Sequence, residues 1–451
     1  MAAYVDGVLA SDPSWGIIGA SLKRPDTRNA LAPQDFLYTL AVRSGAGTTT
    51  RFIGSLLDVL DATRQRDELL AAMIDPHIRI VSLTVTEKGY CHDPATGQLD
   101  PEHPDILHDL AHPDSPVTAP GLIARALQLR RTAGICPFTV LSCDNLPANG
   151  ETTARIITGY AALQSGALAN HIASEVAFPS TMVDRIVPAT TDDDRKLVCE
   201  ASGLWDSWPV MTEPFTQWVV EDHFPNGRPA LEPAGVEFVN DVRPFELMKL
   251  RMLNGSHSSL AYLGYLAGYE FVSEAISDPA FGAFIHDLMT EEVMSTLPGD
   301  VGKLAVYRDA LLERFRNPAL RHRTWQIAMD GSQKLPQRLL GTIRDRLARN
   351  ASITRAGLGV AAWMRYVTGT DEHGRKIDVR DPLALRLRAI AEAAGDEPAK
   401  LVDGLLNVRD VFGDDLPRND QLRTVLTDHL LSLFGLGARE TARRANLAPA
   451  L

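Results

Sequence analysis

The rhythm of hydrophobic and polar positions changes near the middle of the chain. Through the first 240 residues, short apolar runs of strand character alternate with helical ones. WGIIGASL (Trp15–Leu22) is a short apolar run that ends at charge and Pro25. FLYTLAVRSGAGTTTRFIGSL holds two β-rich pieces around a glycine-containing turn, which predicts a hairpin. RDELLAAMIDPH predicts a helix stopped by proline. IRIVSLTVT (Ile78–Thr86) is β-branched almost throughout, the pattern of a buried parallel strand. GLIARALQLRRTAG predicts a helix closed by glycine, and PFTVLSCDN a second buried strand. TTARIITGYAALQSGALANHIASEV reads as one or two helices, and MVDRIVP as extended.

Strand–helix alternation with polar strand ends predicts an α/β, Rossmann-like doubly wound domain over residues 1–240. In such sheets the ligand lies beyond the carboxyl ends of the strands, here TVTEKGY, SCDNLPANG and MVDR. After FPNGRPALEPAG the texture becomes helical, with LLERF, RLLGTIRDRLARN, LALRLRAIAEAA and DHLLSLF. A mainly α-helical domain over residues 241–451 is expected.

A dinucleotide-binding domain should join its first strand to its first helix by a glycine-rich turn. GLGVAA (Gly357–Ala362) matches the string but lies in a helical stretch with no strand before it, and GLGARE (Gly435–Glu440) fails likewise. The chain opens on helix-like AAYVDGVLA. The expectation is that the first strand and its phosphate turn are missing from this sequence.

Composition narrows the function without choosing one. A net charge of -12 excludes the basic face that nucleic acid or an anionic membrane requires. Cys91, Cys136, Cys143 and Cys199 form no CxxC pair or zinc spacing, so reduced, mostly buried thiols and no metal are expected. No apolar run approaches the length of a membrane span, and the N-terminus lacks a signal-peptide pattern. A cytoplasmic protein is expected.

Chemistry concentrates in FELMKLRMLNGSHSSLAYLGYLAGYEF (Phe245–Phe271), which reads as one apolar helix carrying Lys249, Asn254 and His257. At roughly 100° per residue the three share an arc of about 140°, with His257 between the others. A lysine in apolar surroundings loses ammonium character and can serve as a general base. An asparagine amide is a neutral donor for an alkoxide or carbonyl oxygen. A histidine can orient a hydroxyl. Together they suit metal-free oxidation of a secondary alcohol.

The segment KLRMLNGSH resembles the K-x-x-x-x-N-x-x-H signature of the polyol-specific long-chain dehydrogenases, the mannitol dehydrogenase and fructuronate reductase family. VSLTVTEKGYC, FTVLSCDN, TMVDRIVPA, EPFTQWVVEDHF and LRHRTWQIAMDGSQKLPQRLL extend the resemblance over essentially the whole chain, nearest the fructuronate reductase subgroup. The resemblance implies Lys249 as acid/base, with Asn254 and Asn145 as donors to the reacting oxygen. Asn149 is the fallback for Asn145. It implies His257 on substrate hydroxyls and Glu246 on a proton path to water. Val183 and Asp184 would lie near nicotinamide and substrate, and Thr86 and Lys88 near the coenzyme. An alternative for MVDR is a structural Asp184–Arg185 pair. A hexuronate carboxylate would need Arg321, His322, Arg323 or Lys334, unless these form a solvated basic face.

The coenzyme implied is NAD. Lys23 and Arg24 follow the first visible strand where NAD-preferring members carry acid, with Asp26 slightly later, so NADP use or a merely charged loop both stay open. The activity implied is interconversion of D-fructuronate and D-mannonate, with a mannitol (hexitol) 2-dehydrogenase as the alternative. The expected partner is a small sugar acid or polyol, bound by a monomer or small homo-oligomer. The missing first strand motivates a rival of another class, a catalytically silent sugar-acid-binding protein.

Overall fold

Among the described residues, ten strands, all before residue 240, frame the N-terminal unit. The computed structural model describes residues 1–93 and 96–447. Its strands are β1 (Ile17–Ser21), β2 (Tyr38–Ser44), β3 (Gly47–Ile53), β4 (Leu56–Asp61), β5 (Ile80–Leu83), β6 (Thr139–Ser142), β7 (Thr181–Asp184), β8 (Val210–Thr212), β9 (Gln217–Glu221) and β10 (Val236–Val239). β1 pairs in parallel with β4, and β5 with β6. β2 lies between antiparallel β3 and parallel β8, and β9 between antiparallel β7 and parallel β10. Parallel neighbours need crossover connections, and helices supply them. Arg66–Ile74, Ala119–Thr132, Asn149–Gln164 and Gly166–Glu175 share one core with β5 and β6, built on Leu70, Leu83, Leu127, Val140, Ile156 and Ile172. This is the Rossmann-like arrangement expected from the alternation.

Several boundaries differ from expectation for local reasons. The hairpin forms with Ser44 opposite Gly47. The strand expected over Ile78–Thr86 stops at Leu83, because the Val85 and Thr86 N–H groups turn to the Asp144 carboxylate and Thr86 adopts φ 63°. A positive φ cannot continue a pleat. The stretch after Thr152 divides into two helices at Ser165, whose side chain caps the second. β8, β9 and β10 were not anticipated.

The chain divides into compact units Met1–Phe245 and Glu246–Leu451. The second unit is helical. Its centre is the helix Ser256–Leu266, where Ser256, Ser258, Ser259, Leu260, Tyr262 and Leu263 are buried. It packs against Val272–Ser277, Pro279–Asp287, Thr324–Ala328 and Thr354–Tyr366. GLGVAA serves this packing, since a Cβ at Gly359 would lie 2.4 Å from Ser259 Oγ. GLGARE marks a bend in Asp420–Leu447, at Gly437 with φ 81°.

The single helix expected over Phe245–Phe271 is three pieces. Arg243–Met248 is α-helical, Lys249–Gly255 is a π-helix, and Ser256–Leu266 returns to α. A second π segment, Pro336–Leu340, packs against the first. Gly255 permits the approach, since a Cβ there would meet Arg338 O at 2.6 Å.

The four cysteines carry free thiols, but only Cys91 is buried and Cys136 is exposed, so the expectation of mostly buried thiols is corrected. Among the described residues no group of His, Cys, Asp and Glu could hold a metal ion, and no helix is long and apolar enough to cross a membrane.

Candidate active site

Within the helical unit, Lys249 begins the π segment and Asn254 lies five residues on. A π-helix bonds i to i+5, so residues five apart lie nearly above one another. The pair is therefore closer in phase than the 140° arc expected from α geometry. Such π segments recur at functional sites. Lys249, Asn254 and His257 are all half-buried, as is Glu246 one turn earlier.

His257 stacks on Phe315, with centroids 5.1 Å apart, and lies 5.6 Å from the ring of His322. Its Nε2 is buried without a hydrogen-bond partner. Buried polar atoms are nearly always paired, so this one stands out from its surroundings. Burial, then the neighbouring His322, Arg338, Arg314 and Lys334, hold His257 well below the usual imidazole range. Burial and Arg314 lower His322 as well. Two neutral imidazoles thus sit among three fixed cations.

The cations are positioned by local contacts. Lys334 Nζ donates to Met329 O at 2.5 Å, and Arg338 Nη1 donates to Ser258 Oγ at 3.0 Å. Arg314 is buried. Arg321 and Arg323 go elsewhere. Both are exposed and lie over the Phe271 ring, at 5.0 and 5.6 Å, and Arg323 pairs with Glu270 at 2.8 Å. Of the four basic candidates, His322 and Lys334 join His257, whereas Arg321 and Arg323 do not. Sequence reasoning missed Arg338 and Arg314. Arg338 carried a signal, four residues after Lys334 in SQKLPQRLL. Arg314 in LLERF looked like any solvated helix residue.

Within the N-terminal unit, Asn145 is exposed just beyond β6. Asn149 is not available as a substitute. Its amide donates to Asp144 O at 3.1 Å and Thr181 O at 2.9 Å, and accepts from Thr181 N at 2.9 Å. Asp144, also missed, accepts from Val85 N and Thr86 N, both at 3.0 Å, and from Tyr90 Oη at 2.9 Å. Thr86 at φ 63°, ψ 165° occupies a region left almost entirely to glycine, at a cost on the order of 1–3 kcal/mol. Lys88 follows, exposed, on the turn Glu87–Tyr90. Asp184 is buried at the end of β7, with Val183 half-buried beside it. Arg185 turns toward Glu213, donating to its carbonyl at 3.4 Å.

Lys23 and Arg24 are exposed after β1, and Asp26 opens the helix Asp26–Leu31. A cavity of about 500 Å³ lies at the carboxyl ends of β1 and β4, lined by Leu22, Lys23, Ala62, Thr63, Arg66 and Asp105 among others. Strand carboxyl ends are where an open α/β sheet holds a nucleotide. A cavity with two cations fits a phosphate-bearing coenzyme.

Known proteins resemble this chain over nearly all its length. Residues 3–233 match the mannitol dehydrogenase Rossmann domain, and residues 241–434 the mannitol dehydrogenase C-terminal domain. The D-mannonate oxidoreductase of Escherichia coli is 46% identical over 445 residues, 97% of this chain and 91% of that one. A mannitol 2-dehydrogenase of Aspergillus fumigatus is 41% identical, over 95% and 86% of the two chains. The crystal structure of Pseudomonas fluorescens mannitol 2-dehydrogenase with NAD and D-mannitol superposes with a TM-score of 0.85. It is 40% identical and covers 99% of this chain and 92% of that one.

Proposed function

Because the chain belongs to the mannitol dehydrogenase family, we propose that it is an NAD(P)-dependent oxidoreductase interconverting D-fructuronate and D-mannonate. The reaction class rests on the family, whose members oxidise and reduce CH–OH groups with a nicotinamide coenzyme. The substrate assignment rests chiefly on one observation. The unpartnered Nε2 of neutral His257 lies among Lys334, Arg338 and Arg314. Fixed cations around an open hydrogen-bonding atom suit a substrate bearing both hydroxyls and a carboxylate. A hexitol needs no such charge.

When bound, the coenzyme supplies or accepts the hydride at the substrate's carbonyl carbon. The chain's own residues handle the rest. Lys249 takes the hydroxyl proton in oxidation and returns it in reduction, and Glu246 passes it to water. Asn254 and Asn145 donate to the reacting oxygen, whose negative charge grows as hydride leaves the carbon. His257 orients a neighbouring hydroxyl. Lys23, Arg24 and Arg66 serve the adenosine end, with Thr86, Lys88 and Val183 along the coenzyme and Asp184 toward the substrate.

A second reading has its own support. The mannitol 2-dehydrogenase bound to NAD and D-mannitol is 40% identical. Steady-state kinetics decide between the two, with D-fructuronate and D-fructose compared under NADH and NADPH. A kcat/KM higher for fructuronate supports the proposal. A preference for fructose replaces it with the hexitol reading, and turnover of neither leaves the binding-protein reading.

A further inference from the structure

A carboxylate that no reaction step uses ties together the strand ends around Asn145. β5 and β6 run parallel to their last pair, Leu83 with Ser142, and Cys143 N extends the ladder to Leu83 O at 2.9 Å. There the strands should part. Asp144 instead reaches across, Oδ2 accepting Val85 N and Oδ1 accepting Thr86 N. Tyr90 Oη donates to Oδ2, and Ser142 Oγ lies 2.7 Å from the same hydroxyl. On its main-chain side, Asp144 O accepts from Asn149, which is locked to Thr181 at the start of β7. One residue thus fastens the carboxyl ends of β5 and β6 and, through Asn149, the start of β7.

What this fastening holds is informative. Thr86 is β-branched yet sits at φ 63°. Such a residue does not rest there unless its surroundings impose it. The imposing group is Asp144, whose carboxylate takes the Thr86 N–H directly. Asn145 is the next residue along the chain and is exposed, while the fasteners Tyr90, Ser142, Asn149 and Thr181 are buried. A buried frame that ends in one exposed amide is a mounting for that amide.

We propose that Asp144 is a positioning residue that fixes the Asn145 amide for its contact with the reacting oxygen, by clamping the strained turn at Val85–Thr86. The inference rests on the dehydrogenase reading given above. In this role Asp144 acts through its neighbour rather than on the reacting atoms.

The test is a double-mutant cycle on the full chain. Asp144→Asn, Asn145→Ala and the double variant are compared for kcat, substrate KM and thermal midpoint. Misplacing a donor by about 1 Å can cost on the order of a hundredfold in rate, so Asp144→Asn should lower kcat at least about tenfold while substrate KM changes little. The double variant should be no slower than Asn145→Ala, because a mount without its amide has nothing left to lose. Losses that multiply, or an Asp144→Asn kcat within about twofold of wild type, overturn the proposal. If Asp144→Asn shows no melting transition, the cycle is run with Tyr90→Phe, which removes only one donor to the same carboxylate. The same non-additivity is then expected and the same multiplication is fatal. A wild-type chain that turns over neither fructuronate nor fructose fells the function reading and this one with it. An active wild type with an indifferent Asp144 fells only this one.

Discussion

The rings of His257 and His322 lie 5.6 Å apart, both with imidazole pKa values lowered by burial. His429 is lowered as well, by burial, with Nε2 against Thr354 O at 2.8 Å. A histidine depressed in the folded state stabilises it above the unfolded pKa near 6.5 and loses that contribution as pH falls through the folded value. The unfolded chain binds the extra protons. Between about pH 7.5 and about pH 5.5 the unfolding free energy should therefore drop, by up to about 1.4 kcal/mol per pH unit for each such group, and the thermal midpoint with it. His322→Gln should flatten that slope. A midpoint that rises toward acid would contradict the burial described here.

Lys249→Ala should remove most turnover, by roughly 10²–10⁴-fold, the usual contribution of a positioned acid/base. NADH affinity, read by fluorescence titration, and the melting midpoint should stay close to wild type. Substantial residual kcat would exclude the lysine mechanism.

Arg338→Met should separate acids from polyols. Losing a charge-assisted bond to a carboxylate costs about 1.5–3 kcal/mol, or roughly ten- to a hundredfold in kcat/KM for fructuronate. The fructose value should move far less. Equal losses on both substrates would show that Arg338 supports the fold rather than the carboxylate.

Gly255→Ala would bring a methyl group to within 2.6 Å of Arg338 O. The two π segments must shift apart, costing about 1–3 kcal/mol in urea unfolding. Asn254 and Arg338 flank the contact, so kcat/KM should fall as well. An alanine variant with unchanged stability would mean the segments are not in contact.

The alternating first half and helical second half were legible because strand and helix periods differ and each run was long enough to display one. KLRMLNGSH was legible because polar residues stood out in an apolar run. The π-helix was not, since nothing in that string marks an i→i+5 ladder; neighbouring Pro336–Leu340 and the glycine contact accompany it. The end of β5 was misplaced because Thr86 looks like strand in isolation, and the residue that turns it, Asp144, is 58 positions away. Charge alone makes Arg321 and Arg323 candidates for a carboxylate or members of a solvated basic face. Their fate was decided by Phe271 and Glu270, partners distant in sequence.

The π segment also makes the length of the helix that carries Lys249 a phase setting. Each residue of an α-helix turns the chain by about 100°, so inserting or deleting one between Met248 and Ser256 would rotate Lys249 against His257 without touching either. Lys249–Gly255 is a stretch where the ladder already accommodates a wider turn. A single-residue indel there could be absorbed by the backbone and still turn the Lys249 amine away from the His257 imidazole. Chain length through these seven residues, as much as side-chain identity, therefore sets how Lys249 faces His257.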